Sequence, residues 1–290
     1  MSTNNNQNNQ TINFTKMHGL GNDYIYIYAQ PNSIPNLTDF IIRASDRHFG
    51  VGSDGVIFIT PSEVADFTMH MYNADGTQAE MCGNGIRCVG KYVYDKGYTN
   101  KQTITVETLA GIKTLELTVD NNLVSSARVN MGNPILEPNL IPVVAQTTPV
   151  LNLPIQILDR TFNFTCVSMG NPHCVAVINQ PVKEFELEKY GPVTETDVHF
   201  PRKVNAEFVN VINRNNVDMR VWERGAGETW ACGTGACAVA VACILNNLVE
   251  RNVNIHLLGG DLNIFWDQAT NNVYMTGPAT TVFEGQLKRS

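Results

Sequence analysis

Residues 81–94 read MCGNGIRCVGKYVY and residues 231–245 read ACGTGACAVAVACIL. In each, Cys-Gly-x-Gly runs into an apolar pattern of helical period, and the two leading cysteines, Cys82 and Cys232, stand 150 residues apart. Two further landmarks repeat at nearly that spacing. Gly21-Asn22 in GLGNDYIYI and Gly170-Asn171 in SMGNPHCVAV each precede an apolar run that reads as a strand, the asparagines lying 149 residues apart. Asn73 and Glu223 each lie nine residues before their cysteine, in the turn-forming text NADG and ERGAG. A glycine-rich turn met twice by accident leaves the other two pairs as coincidences. The sequence therefore predicts a duplication, with an N-terminal half over 12–145 and a C-terminal half over 146–290, behind a tail over 1–11.

Between the landmarks the pattern is α+β. Thr103–Thr108, Gly111–Val119 and Ser126–Met131 read as consecutive strands with polar breaks between them. Asn84–Lys96 reads as a helix ending before Gly97, and Thr234–Val249 as a second, so uniformly apolar that it must be buried. A third helix is expected over Thr38–His48, with Thr38 as N-cap. Each half would wrap its strands around one central helix.

Composition removes several classes of function. The 290 residues carry a net charge of −7 with no Lys/Arg-rich run, which argues against nucleic acid or an anionic membrane as partner. No apolar run reaches the ~18 residues of a membrane span. The opening MSTNNNQNNQ has neither the basic nor the apolar region of a signal peptide and has little to bury, so it is expected to be disordered. Seven cysteines in such a chain are expected to be reduced thiols in the cytoplasm. Both repeated spacings, Cys82–Cys88 and Cys232–Cys237, are too wide for Cys-x-x-Cys, so no metal site is expected. A zinc or redox protein using His173, Cys174, Cys82 and Cys232 is the remote alternative.

A cysteine at each helix start suggests one kind of chemistry. The first turn of a helix presents unpaired N–H groups and partial positive charge, favours carboxylates and lowers the pKa of a nearby thiol. Two such ends facing one cleft between the halves would hold a carboxylate and flank the adjacent carbon with thiols. One thiolate would remove the α-proton and the opposite thiol would return one, inverting the centre. The charge spreading into the carboxylate is met by preorganised donors, each typically worth ~3 kcal/mol, so no cofactor is needed. Cys88, Cys166, Cys174, Cys237 and Cys243 sit inside apolar patterns and read as small buried hydrophobes.

KMHGLGNDY (16–24), YNADGTQAEMCGNGIRC (72–88), GNPHCV (170–175) and ERGAGETWACGTGACA (223–238) closely resemble the motifs of the diaminopimelate epimerases. The resemblance implies two pseudo-symmetric α+β domains, each a barrel-like, mostly antiparallel sheet around a central helix. It implies interconversion of LL- and meso-2,6-diaminopimelate without a cofactor, in lysine and peptidoglycan-precursor biosynthesis, by a cytoplasmic homodimer. Cys82 and Cys232 take the acid/base roles. Gly83, Asn84, Gly233 and Thr234 face the reacting carboxylate. Asn22, Asn73, Asn171, Asn205, Glu223 and Arg224 grip the rest of the substrate, and His173 and Glu223 tune the thiols. Other cofactor-independent amino-acid racemases share the paired cysteines. The proline-type members tend to have histidine where this chain has Asn84. Gly55 stands where some members carry a substrate-contact glutamine, and Phe283 where some carry a dimer-contact tyrosine.

Overall fold

The computed structural model describes residues 11–289. The tail expected to be disordered therefore lies outside the described residues except for Thr11, which opens the first strand. The chain divides into two compact units, Met1–Val129 with Pro278–Ser290, and Asn130–Gly277. This differs from the expected division at 145/146, because the final segment returns to the first unit.

In the first unit the chain forms β1 (Thr11–Gly19), β2 (Asn22–Tyr28), α1 (Leu37–Ser45), β3 (Gly55–Pro61), β4 (Phe67–Asn73), the short β5 (Gln78–Ala79), α2 (Gly83–Asp95), β6 (Thr103–Thr108), β7 (Gly111–Asp120) and the start of β8 (Leu123–Gly132). A last strand, Thr280–Lys288, pairs antiparallel with β1. The ladder continues β1–β2 antiparallel, β2–β3 parallel, β3–β4 antiparallel, β4–β6 parallel, then β6–β7 and β7–β8 antiparallel. A parallel pair needs a crossover, and α1 and α2 are the two crossovers. Strand β3 is buried almost end to end and β2 through Tyr24–Ile27, as expected of a parallel pair covered on both faces. Ile25, Ile27, Val56 and Phe58 pack with Phe40 and Ile41 of α1. On the other face Tyr26 donates through its hydroxyl to Gly85 O of α2 (3.1 Å).

The second unit repeats this order: β9 (Leu153–Ile157), β10 (Arg160–Ser168), β11 (Pro172–Val177), α3 (Leu187–Glu195), β12 (Asn205–Asn213), β13 (Asn216–Glu223), β14 (Gly227–Glu228), α4 (Gly233–Leu245), β15 (Asn252–Leu257), β16 (Gly260–Trp266) and β17 (Val273–Pro278). Pairings run β9–β10 and β10–β11 antiparallel, β11–β12 parallel, β12–β13 antiparallel, β13–β15 parallel, β15–β16 and β16–β17 antiparallel. The two ladders are the same, strand for strand, with the last strand, β18 (Thr280–Lys288), holding in the first unit the place that β9 holds in the second. The duplication read from three landmarks thus extends through the topology.

The central helices are buried for different reasons. In α4, Gly233 and the whole run Gly235–Cys243 are buried, as an all-round apolar sequence allows. In α2, all of Gly83–Val93 is buried although it contains Asn84, Arg87 and Lys91. Arg87 is the largest fully buried side chain among the described residues. It donates to Gly83 O (3.1 Å), Asn84 Oδ1 (3.0 Å) and Pro278 O (3.1 Å). Lys91 donates to Val124 O and pairs with Asp95 at 2.7 Å. A buried cation is tolerated only with such partners.

Helix ends match expectation at α2, where Gly97 takes φ +74° and Tyr98 N–H donates to Val93 O (2.9 Å). Two expectations need correction. Thr38 is not an N-cap: α1 begins one residue earlier, behind Asn36 in the left-handed region (φ +48°) with no side-chain cap bond. That helix also stops at Ser45, because the Asp46 carboxylate accepts from the N–H groups of His48 and Phe49 at 2.7 Å each and turns the chain out. Helix α4 stops at Leu245 rather than Val249, since Asn247 takes φ +57° and Leu248 N–H closes on Cys243 O (2.9 Å). Asn247 does there what Gly97 does in the first unit.

Candidate active site

Each central helix begins on its cysteine. Cys82 is the N-cap of α2 (φ −129°, ψ 124°) and Cys232 the N-cap of α4 (φ −117°, ψ 109°), and each sulfur accepts from the N–H three residues on, Gly85 or Gly235, at 3.4 Å. This is the geometry a serine or aspartate cap adopts, here made by sulfur. The strand that runs into each turn is aimed by the short pairs β4–β5 and β13–β14.

Around Cys82, Asn22 at the start of β2 accepts from the thiol through Oδ1 (3.1 Å), and its Nδ2 donates to Asp54 Oδ2 (2.7 Å). Arg47 bridges Asp54 and Asp23, 2.7 Å from each. Burial pushes the Asp54 carboxyl up, and burial with the adjacent Cys82 pushes the Tyr24 hydroxyl well above its ordinary value. Asn84 is buried in the first turn, with Oδ1 bound to Arg87, so that side chain serves the helix. Asn73 is partly exposed and closes its own turn, donating to Thr77 Oγ1 (3.0 Å).

Around Cys232 the surroundings are charged. The thiol is 5% exposed. Burial, then the nearby carboxylates of Glu223 and Glu207, push it well above the ordinary thiol value. This corrects the expectation that a helix N-terminus suffices to lower both thiols: desolvation and two anions outweigh the macrodipole, whose contribution is typically 0.3–1 kcal/mol. Thr234 places Oγ1 3.5 Å from the sulfur. Glu223 accepts from the Thr229 hydroxyl. Fully buried His173 places Nδ1 2.7 Å from Glu207 Oε1 and Nε2 3.0 Å from Asn171 Oδ1. Asn205 donates to Pro172 O (2.8 Å) and accepts from Arg224 N–H (2.9 Å), which shapes the loop carrying the exposed Arg224. In the first unit the expected residues Cys82, Gly83, Asn84 and Asn22 come together. In the second, Cys232, Gly233, Thr234, Glu223, His173 and Asn171 do, with Asn205 behind them.

Glu207 is the residue that sequence reasoning missed. The available signal was one acid inside the otherwise apolar Ala206-Glu207-Phe208-Val209, since a buried carboxylate demands a partner. Among the described residues no group of three or more His, Cys, Asp or Glu side chains is placed to hold a metal ion. All seven cysteines are free thiols. No helix of the described residues is long and apolar enough to cross a membrane.

Solved structures of low sequence similarity share the fold. A hydroxyproline epimerase from Agrobacterium vitis superposes with a TM-score of 0.70 at 13% identity, over 96% of this chain and 91% of that one. A Bacillus anthracis phenazine biosynthesis protein of the PhzF family gives 0.67 at 15% identity, over 96% and 99%. These likenesses define the class of fold, a duplicated α+β domain pair. Sequence relatives narrow this: a Methanococcus maripaludis diaminopimelate epimerase is 58% identical over 95% of this chain and 99% of its own length, and one from Acetivibrio thermocellus 56% identical over 95% and 98%. The family profile of diaminopimelate epimerase matches residues 14–137 and 165–282, and the chain belongs to that family.

Proposed function

We propose that this enzyme interconverts LL- and meso-2,6-diaminopimelate, with Cys82 and Cys232 as a thiolate/thiol pair acting at one α-carbon. The observation that carries the reading is the matched pair of N-cap sulfurs at equivalent points of the repeat. In one direction one thiolate takes the α-proton while the other thiol delivers its own to the opposite face; the reverse reaction exchanges the roles. First-turn N–H groups at Gly83, Asn84, Gly233 and Thr234 meet the carboxylate as charge develops on it. The substrate is zwitterionic at both ends. Arg224 suits its distal carboxylate, Glu223 an ammonium, and Asn22, Asn73 and Asn171 the remaining polar groups. Asn205 acts through the loop it shapes, and His173 with Glu223 adjusts the thiols. Asn84, in place of histidine, favours an open-chain substrate over a proline-type one. The mechanism needs no cofactor, and the setting is that of a cytoplasmic homodimer in lysine and peptidoglycan-precursor biosynthesis.

The test is inversion of purified LL-diaminopimelate beside proline and a panel of small amino acids. Conversion to the meso isomer is expected, with the panel unchanged. Inversion of a panel member with diaminopimelate left untouched overturns the substrate assignment. Sedimentation of the same preparation reads the oligomer.

A further inference from the structure

The repeat makes it possible to ask where the two sulfur sites differ. By register, Tyr24 lies opposite Gly55 and His173 opposite Asn205, so Tyr24 corresponds to His173 and, two residues beyond the partner, Ile57 to Glu207. The correspondence holds in space within each unit. A Cβ built on Gly85 would meet Ile57 Cδ1 at 2.9 Å; one built on Gly235 would meet Glu207 Oε1 at 2.8 Å and the Cys232 sulfur at 3.2 Å. One scaffold therefore presents an isoleucine to the first capping turn and a carboxylate to the second.

That carboxylate is held in an unusual state. Glu207 is fully buried, Oε1 lies 2.7 Å from His173 Nδ1, and Oε2 is buried without a hydrogen-bond partner. Such a group costs stability, on the order of 1–3 kcal/mol or more, and an apolar residue serves the same position in the first unit. The charged groups acting on Cys232 are Glu223 of β13 and Glu207 of β12, and the one titratable side chain bonded to Glu207 is His173 of β11.

We propose that Glu207 is a positioning residue that fixes the His173 proton on Nδ1 and, from beside Gly235, supplies the negative charge that makes Cys232 the proton-bearing thiol of the pair. The two thiols of a duplicated site are thereby made unlike, so that at rest one is ready to give a proton. With Nδ1–H committed to Glu207, Nε2 is an acceptor, and the Asn171 amide bonds it by turning its NH2 rather than its Oδ1 toward the ring. The inference rests on Cys232 being a reacting thiol, but its test needs no turnover, so the two can fail separately: Cys232→Ala epimerisation judges that reading, and thiol ionisation judges this one.

The experiment is alkylation of the full-length enzyme by iodoacetamide across neutral to alkaline pH, with Cys82 and Cys232 peptides quantified by mass spectrometry. Glu207→Gln keeps an acceptor for Nδ1–H but removes one charge. The midpoint for Cys232 is expected to fall by about one pH unit, so that below both midpoints it reacts roughly tenfold faster, while Cys82 is unmoved. Glu207→Asp keeps the charge and is expected to restore the wild-type profile. An unchanged Cys232 profile in folded Glu207→Gln, or equal shifts at both cysteines, overturns the proposal. Nitrogen-15 spectra of wild-type enzyme labelled at histidine supply a measurement free of any variant. The His173 proton is expected on Nδ1, and a proton confined to Nε2 overturns the assignment.

Discussion

At the scale of single residues, what distinguishes the seven cysteines is access and neighbours rather than chemistry. Cys88 is sealed in α2, where burial pushes its thiol up to about 11. Cys82, six residues earlier, is partly exposed and bound to Asn22. Cys82→Ala and Cys232→Ala are each expected to lower epimerisation by about 10²-fold or more, the usual scale for removing an acid or base. Cys88→Ala is expected to keep the rate and lose only stability, through the cavity it leaves. Progress curves with LL-diaminopimelate check all three, and full activity in either capping-cysteine variant removes the two-base assignment.

At the scale of elements, the Cys-Gly-x-Gly turn combines a cap, a close approach and a helix start in four residues. The last glycine is there for space. Gly235 lies inside α4, where alanine ordinarily gains about 1 kcal/mol of helix propensity. Its Cβ would stand 2.8 Å from Glu207 Oε1 and 3.2 Å from the Cys232 sulfur. Gly235→Ala is therefore expected to lose that gain and destabilise by about 1–3 kcal/mol, the cost of overpacking a full core. Urea denaturation measures this directly, and a more stable variant would show that the turn has slack. The same argument applies at Gly90, where a Cβ would meet Leu117 and Leu115 at 2.8 and 3.0 Å.

At the scale of the whole molecule, two consequences follow from writing one domain twice. The first is kinetic. If each half supplies its own base, the thiol that removes the substrate proton keeps it while the other delivers one drawn from solvent. In deuterated water, starting from one stereoisomer, early product is expected to carry deuterium at the inverted carbon, with recovered substrate nearly unlabelled. Equal label in both shows one base serving both faces. The second is thermodynamic. Cys88 is held up to about 11, and Cys166 and Cys243 to about 12, all by burial. Between an ordinary thiol value near 9 and those values the folded chain binds protons that the unfolded chain has lost, so stability falls as pH rises. Three such thiols imply a loss of roughly 4 kcal/mol per pH unit above about 9. Denaturation at stepped alkaline pH is expected to show at least this slope, and a triple Cys→Ala variant to lessen it by that amount, the raised Cys174 and Cys232 accounting for what is left.

The sequence by itself determined the duplication, the two capping cysteines, α2 to within a residue at each end and the strands β6 and β7, because each is written in local patterns: glycine spacing, helical period, alternation. It also pointed to most of the residues around the thiols. It placed the α1 start and the α4 end wrongly, since those depend on Asn36 and Asn247 adopting left-handed conformations that no periodicity records. Only the tertiary structure decided that Thr280–Lys288 pairs beside β1, a partnership between the two ends of the chain. Only it decided that Cys232 is raised rather than lowered, and that Glu207 stands where its counterpart is Ile57. The reason is the same in each case: desolvation and charge proximity are set by neighbours distant in sequence, which a local pattern does not contain.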